Sequence, residues 1–274
     1  KNNVFFLKHH MMHIALSILS SNFKDAAYIS ADGGGDDGDP RNFVFGEFKN
    51  GNFSDKISFF GKESLASFHA FVSDAIGMSG GENGKTSGLA AYGKHNQDLI
   101  NNFSKLLIKK KENIFFDRKR FKGTSLNLDK IKPQEYDRGK IMNQYPSFTN
   151  VFTKSKKYLP QDIAYAAEHL VAKNFIETLI LIKKKTKLKN IVFTGGLFSN
   201  VSLNHKIVMS NIFDKTFFCV APSDAGLSLG GAKLINFLKN KTRFKNLNPY
   251  IGPSFSDKEI LSLIKSFNLN YTVS

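Results

Sequence analysis

Three histidines lie close together near the start of the chain, His9, His10 and His13, in the run HHMMHIALSILSS. On a helix, positions i and i+4 share a face, so His9 and His13 can aim their imidazoles at one ion. His10 and His13, at i and i+3, form a competing pair. Imidazoles at this spacing suit zinc or iron. The glutamate of H-E-x-x-H is missing, so a metalloprotease would lack its base. Three unrelated histidines, or the remnant of an expression tag, would give the same letters, and spacing does not separate these readings.

Two carboxylates could complete such a site. Asp32 closes an apolar stretch just before a glycine run, and Asp224 sits in APSDAG between a strand pattern and a helix pattern. Ligand crevices in α/β sheets form beyond the carboxyl ends of strands, where both would project. Taken singly, each aspartate reads equally as an Asx-turn or a helix cap. The pair Gly195-Gly196 in FTGGLFSN also follows a strand and precedes a helix. Glycines there let the backbone approach a nucleotide, and the helix N-terminus favours its phosphate.

Lys85 belongs to GMSGGENGKTSGLAAYGK, whose Gly84-Lys85-Thr86 resembles the end of a phosphate-binding loop. That pattern requires its first glycine at position 79, which is Ser79, and a strand ahead of it, where the sequence reads as helix. What remains is a lysine on a flexible glycine-rich loop.

The elements that must carry these residues can be read from periodicity. Residues 9–21 repeat apolar positions at helical spacing, and DAAYISAD reads as a strand ending at Asp32. NFVFGEF and KISFF flank KNGN, a hairpin with Asn50-Gly51 at its turn. KESLASFHAFVSDAIG is an amphipathic helix stopped by Gly77, and NQDLINNFSKLLIKKK is expected as another helix. Residues 111–158 show weak periodicity and read as a variable insertion. A long helix then opens at Pro160. Two β-turn-α units follow, NIVFTGG into NVSLNHKIVMS and TFFCVAP into LSLGGAKLINFLKN, which implies an α/β sheet with helices on its faces. SDKEILSLIKSF is a further helix with Ser256 as its N-cap.

The chain has 274 residues and a formal net charge of +16, with 27 phenylalanines and no tryptophan, so phenylalanine is expected to fill much of the core. The charge is almost all lysine; arginine occurs only at Arg41, Arg118, Arg120, Arg138 and Arg243. Bidentate base or phosphate recognition favours arginine, so a solvated lysine surface is expected rather than a nucleic-acid groove. Cys219 is the single cysteine, which excludes an internal disulfide and fits a reducing, cytoplasmic setting. It lies in the apolar run TFFCVA, as a buried inert thiol would. No apolar stretch is long enough to span a membrane, and no signal peptide is evident.

The ordered set of motifs is more specific than any one of them. HHMMHIALSILSS resembles the HHxxHAASA segment of NodU/CmcH/TobZ-type O-carbamoyltransferases, and ISADGGGDDG their strand and DGxGE loop. GKTSGLAAYGK resembles GKxMGLAPYG, and DIAYAAEHLVAKNFIETL is similar to the DIAASxQ helix. IVFTGGLFSNVSLNHKI resembles the GGVxxN motif, VAPSDAGLSLGGA resembles PxxxDxGxxxGAA, and IGPSFSDKEI the start of the linker into a second domain.

The resemblance implies an actin-like, Kae1-like ATPase fold of two lobes with a nucleotide between them. It implies a carbamoyl-transfer domain over residues 1–250, and a linker or the start of the next domain over 251–274. N-terminal strands would precede Lys1 and a YrdC-like domain of the same chain would follow Ser274, making the chain a fragment. Carbamoyl phosphate and ATP would give carbamoyladenylate, and the carbamoyl group would pass to a hydroxyl of a small molecule or sugar. His9, His13, Asp32 and Asp224 would hold a divalent metal, iron by resemblance. Gly33, Gly195, Gly196, Asn200 and Ser223 would line the nucleotide. Lys85 would lie near the phosphate or carbamoyl group, with His10 as a candidate base. Glu168 stands where the family usually has Gln, Ser87 where it has Met, Ala91 where it has Pro, and Asp36 where Glu is common. Two alternatives stay open: a transferase of tRNA threonylcarbamoyladenosine synthesis, whose histidine segment usually reads HxEGH, and a degenerate ATP-binding regulatory module.

Overall fold

The computed structural model describes residues 4–35, 39–60, 64–76, 78, 83–110, 113–116, 158–243, 250 and 252–272. Asp36, Gly77, Ser79 and nearly all of the expected insertion lie outside these residues.

The central element is a five-stranded sheet built from β1 (Ala26–Ala31), β2 (Arg41–Lys49), β3 (Asn52–Phe60), β6 (Asn190–Thr194) and β7 (Lys215–Phe218), in the order β3-β2-β1-β6-β7. β2 runs antiparallel to both β1 and β3, while β1, β6 and β7 are mutually parallel. The β2–β3 hairpin turns at Asn50 and Gly51, both with positive φ, as the Asn-Gly signal requires. A separate two-stranded ribbon pairs β4 (Leu107–Lys110) with β5 (Asn113–Phe116).

Helices cover both faces of the sheet, so its central strands are buried on both sides and read as continuous apolar runs. On one face α1 (His9–Ser20) and α7 (Leu227–Asn240) pack over Tyr28, Val44, Phe48 and Val192. On the other, α2 (Leu65–Ala75), α4 (Gln97–Ser104), α5 (Pro160–Lys183) and α6 (Val201–Met209) pack over Ile29, Phe45, Ile191 and Phe193. A short helix, α3 (Asn83–Ala90), lies against α2 and α5. Phenylalanine fills the core as composition suggested: Phe45, Phe48, Phe68, Phe103, Phe175, Phe193 and Phe198 are all fully buried.

The α/β class therefore holds: a mixed five-stranded sheet with helices on both faces. Two local expectations need correction. The helix expected over NQDLINNFSKLLIKKK ends at Ser104, and Leu107–Lys110 turns into strand to pair with Asn113–Phe116; a tertiary pairing overrides the local helical pattern there. The glycine-rich stretch around Lys85 is helical from Asn83 onward rather than a loop. A last helix, α8 (Asp257–Ser266), carries the capping box of Ser256 and Glu259 and buries none of its side chains. Among the described residues no helix is long and apolar enough to cross a membrane.

Candidate metal centre

The three parallel strands deliver their carboxyl ends to one edge of the sheet. Asp32 follows β1, Gly195 and Gly196 follow β6, and the segment after β7 leads to Asp224. The first helix crosses this edge and is pinned there at two points. The Ser17 hydroxyl donates to the Phe193 carbonyl at 3.0 Å. His10 is buried completely, with Nδ1 2.7 Å from the Ser30 hydroxyl and Nε2 2.7 Å from the Arg41 carbonyl. The His10 amide also donates to Asp39, whose carboxylate is held by Arg41. Burial of the His10 ring lowers its pKa, which favours the neutral form, against the opposing pull of the Arg41 carbonyl and the Asp39 carboxylate. His10 thus docks the helix onto the sheet. Both ring nitrogens are engaged and neither meets solvent, so its geometry speaks for docking rather than for exchange with a solvent-side acceptor.

With the helix fixed, His9 and His13 face Asp32 and Asp224. His13 Nε2 lies 3.2 Å from Asp32 Oδ2 and 3.4 Å from Asp224 Oδ1. His9 Nε2 lies 4.0 Å from Asp32 Oδ2 and 3.5 Å from Asp224 Oδ1. One ligand atom from each of the four residues falls within 4.8 Å of the others. The (i, i+4) pair is therefore the one that converges, and the (i, i+3) pair is excluded by the direction of His10.

Two glycines let Asp224 reach the helix. A Cβ on Gly230 would stand 2.1 Å from the Met12 carbonyl oxygen, and one on Gly226 would stand 2.2 Å from the Ala221 oxygen and 2.5 Å from Leu16. Glycine at both positions lets α7 and the turn before it lie directly on α1. The side chain of Asp224 is 70% exposed whereas that of His13 is fully buried, so the cluster opens to solvent on the Asp224 side.

The donor set fits a divalent cation. The imidazole nitrogens of His13 are buried and make no well-directed hydrogen bond, yet Nε2 points between two carboxylates. Burying a polar atom without a hydrogen bond is costly, and a cation between two imidazoles and two carboxylates would satisfy all four groups. Burial pushes the Asp32 carboxyl up, but His13, His9 and the amides of Gly196 and Gly33 outweigh it and hold the group well below the usual carboxylate range.

Of the expected nucleotide residues, Gly33, Gly195, Gly196 and Ser223 follow the strand ends at this edge, and several of their polar groups are engaged. The Gly33 and Gly196 amides donate to the two Asp32 oxygens, at 2.6 and 3.0 Å. They orient a candidate ligand, as outer partners of metal sites do. The Gly195 amide donates to the Pro222 carbonyl at 2.9 Å, and its φ of 94° with β1 alongside leaves no room for a side chain. The Ser223 carbonyl accepts from Gly226, and its side chain caps nothing. Asn200 caps α6 by accepting from the Leu203 amide, while its side-chain amide donates to both oxygens of Glu168 at 2.8 and 2.9 Å. Lys85 is an exposed residue of α3.

Glu168 is the functional candidate that sequence reasoning missed. It is 4% exposed and lies 2.8 Å from His69 Nε2, and it also accepts from the Ser87 hydroxyl at 2.5 Å. Burial pushes its carboxyl up, but His69, Ser87 and Asn200 together lower it. The signal was present in the letters: Glu168 and Ser87 both depart from the family pattern, and they bond to each other.

An uncharacterized protein of Methanocaldococcus jannaschii is 24% identical over 281 aligned positions, covering 97% of this chain and 43% of its own length. Nodulation protein NolO of Bradyrhizobium diazoefficiens is 24% identical over 264 positions, covering 94% of this chain and 43% of its own. Nodulation protein NolNO of Sinorhizobium fredii is 25% identical over 240 positions, covering 86% and 32%. The chain thus spans less than half the length of each of these relatives. A crystal structure of full-length HypF in its phosphate- and nucleotide-bound form overlays on 87% of this chain and 36% of that one, with a TM-score of 0.44 at 18% identity. Residues 1–233, a range that includes His9, His13, Asp32 and Asp224, match the family described as carbamoyltransferase N-terminus, and the chain belongs to that family.

Proposed function

We propose that this chain is the part of an O-carbamoyltransferase that passes a carbamoyl group from carbamoyladenylate to a hydroxyl of a small molecule or sugar. Family membership supports the reaction class. The observation that carries the reading further is the convergence of His9, His13, Asp32 and Asp224 at the open edge of the sheet.

The chemistry accounts for such a site. A carbamoyl carbon is a poor electrophile because its nitrogen donates into the carbonyl. Adenylation of carbamate supplies a good leaving group. In the transfer, the acceptor oxygen forms a bond to the carbamoyl carbon, the bond from that carbon to the phosphate oxygen breaks, AMP leaves, and the acceptor proton passes to a base. A divalent ion at the four ligands, iron by resemblance, would neutralise anionic charge and orient the donor. The residues of this chain would hold that cation: His10 and Ser17 fix the helix, and Gly33 and Gly196 aim Asp32. Exposed Lys85 supplies positive charge to an anionic donor or leaving group. The lysine-rich surface also draws anionic substrates toward the protein.

The test is carbamoyl transfer from supplied carbamoyladenylate to a panel of sugar and small-molecule hydroxyls, read as a mass gain of one carbamoyl group. Product in wild type and none in Asp32→Asn supports the reading. Equal product in both overturns it.

A further inference from the structure

Four separate elements meet at one buried carboxylate away from the metal ligands. Glu168, on α5, takes bonds from His69 of α2, Ser87 of α3 and Asn200, which ends the short 3-10 turn Gly196–Ser199 and caps α6. The same turn is pinned at its other end, where the Gly196 amide donates to Asp32. One carboxylate thus fixes each end of the segment that leads from the metal edge into α6.

The second segment tied to Glu168 is α3, which lies along α5 and touches α2. Of the residues of α3, only Thr86 and Ala90 are buried, so little apolar surface anchors it. The Ser87 hydroxyl gives α3 a polar tie to a charged, buried acceptor. His69 is 6% exposed and its Nε2 is 3.4 Å from the Ser87 hydroxyl, so imidazole and carboxylate hold that hydroxyl between them.

We infer that Glu168, supported by His69, is a positioning residue that locks α3, with Lys85, and the turn 196–200 into one arrangement. The two segments that carry the candidate donor-facing residues then move together or not at all. This inference rests on the carbamoyl-transfer reading for its consequence in turnover, but the coupling itself is a property of the chain.

The experiment compares wild type, Glu168→Gln, Ser87→Ala and the double variant Glu168→Gln/Asn200→Asp, all in the full chain. Glutamine keeps one acceptor oxygen for Ser87 and His69 but turns an amide toward that of Asn200. Asn200→Asp restores an acceptor there and still caps α6. Amide hydrogen exchange is read at residues 86–90 and 196–203. Glu168→Gln is expected to raise exchange at least tenfold in both segments, Ser87→Ala to raise it in α3 and more weakly in the turn, and the double variant to return the turn to within threefold of wild type. In the transfer assay Glu168→Gln raises KM for carbamoyladenylate at least tenfold with a smaller change in kcat, and the double variant recovers most of that loss.

Unchanged exchange in both segments of folded Glu168→Gln, a response in one segment alone, or no recovery in the double variant overturns the inference. Should Glu168→Gln fail to fold, Ser87→Ala decides by whether the turn responds to a change made on α3. If wild type transfers no carbamoyl group, the functional reading falls, and the exchange data alone still decide the coupling.

Discussion

His13 Nε2 stands 3.4 Å from Asp224 Oδ1, although one belongs to the first helix and the other follows the last strand of the sheet. The distance is a product of close helix packing through Gly226 and Gly230, and of the parallel strands that end at the same edge. It also orders the consequences of mutation, because residues that touch the cluster and residues that hold its supports should fail in different ways.

Gly196→Ala and Gly195→Ala separate these two classes. A Cβ on Gly196 would stand 3.1 Å from Asp32 Oδ1, a contact that a small rotation of the carboxylate relieves. Gly196→Ala should weaken metal binding roughly tenfold, in the range of changes to groups that orient a ligand, with the thermal midpoint nearly unchanged. A Cβ on Gly195 would stand 2.3 Å from the Ala31 oxygen at a positive φ. Gly195→Ala should lose at least about 1–3 kcal/mol of stability in denaturant titration. Similar thermal midpoints for the two variants would contradict the assignment.

His10→Gln tests the docking role of the middle histidine. Two buried hydrogen bonds and the packing of a fully buried ring are disturbed. The expected cost is roughly 2–4 kcal/mol of unfolding free energy. Where the variant is folded, the pH profile of transfer should keep its shape. A lost limb in that profile would mean that His10 exchanges the acceptor proton after all.

Glu168 should be visible in the acid stability of the protein. Its carboxyl pKa is lowered in the folded chain, against about 4.3 in an unfolded one. A depressed carboxylate contributes stability that is fully present above the unfolded pKa and is lost as pH falls toward the folded one. Wild type should therefore lose stability steeply below about pH 4.3, and Glu168→Gln should show a shallower acid limb. Chemical unfolding measured from pH 6 down to the acid transition checks this, and parallel curves for the two proteins would contradict it.

The final helix makes a negative prediction. It buries no side chain, so removal of residues 250–274 should change the stability of the remainder by no more than about 0.5 kcal/mol. A larger loss would show that α8 packs on the sheet domain in solution.

Much of this was legible in the letters. The helical repeat of the first helix, the Asn50-Gly51 hairpin and the two late β-turn-α units each follow from local rules, and they appear where periodicity puts them. Sequence spacing offered two histidine pairs, and only the fold chose between them, because the direction of His10 depends on Ser30 and Arg41 across the sheet. Glu168 was read as one odd letter in a helix; its meaning depends on Ser87, His69 and Asn200 meeting it in space. The glycines were legible as a place where the backbone could approach a ligand, but the turn of the Gly33 and Gly196 amides onto Asp32 depends on the fold. The strand at Leu107–Lys110 was missed because a short lysine-rich run carries no period of its own, and only its partner strand makes it extended.

The most direct test is metal content. Purified full chain and His13→Ala are loaded with ferrous iron or zinc under anaerobic conditions, desalted, and analysed by elemental mass spectrometry alongside thermal unfolding. One equivalent of metal in wild type and little in a folded His13→Ala protein is the expected result. No metal in wild type, or equal metal in both, would contradict the claim that the two imidazoles and two aspartates share a cation.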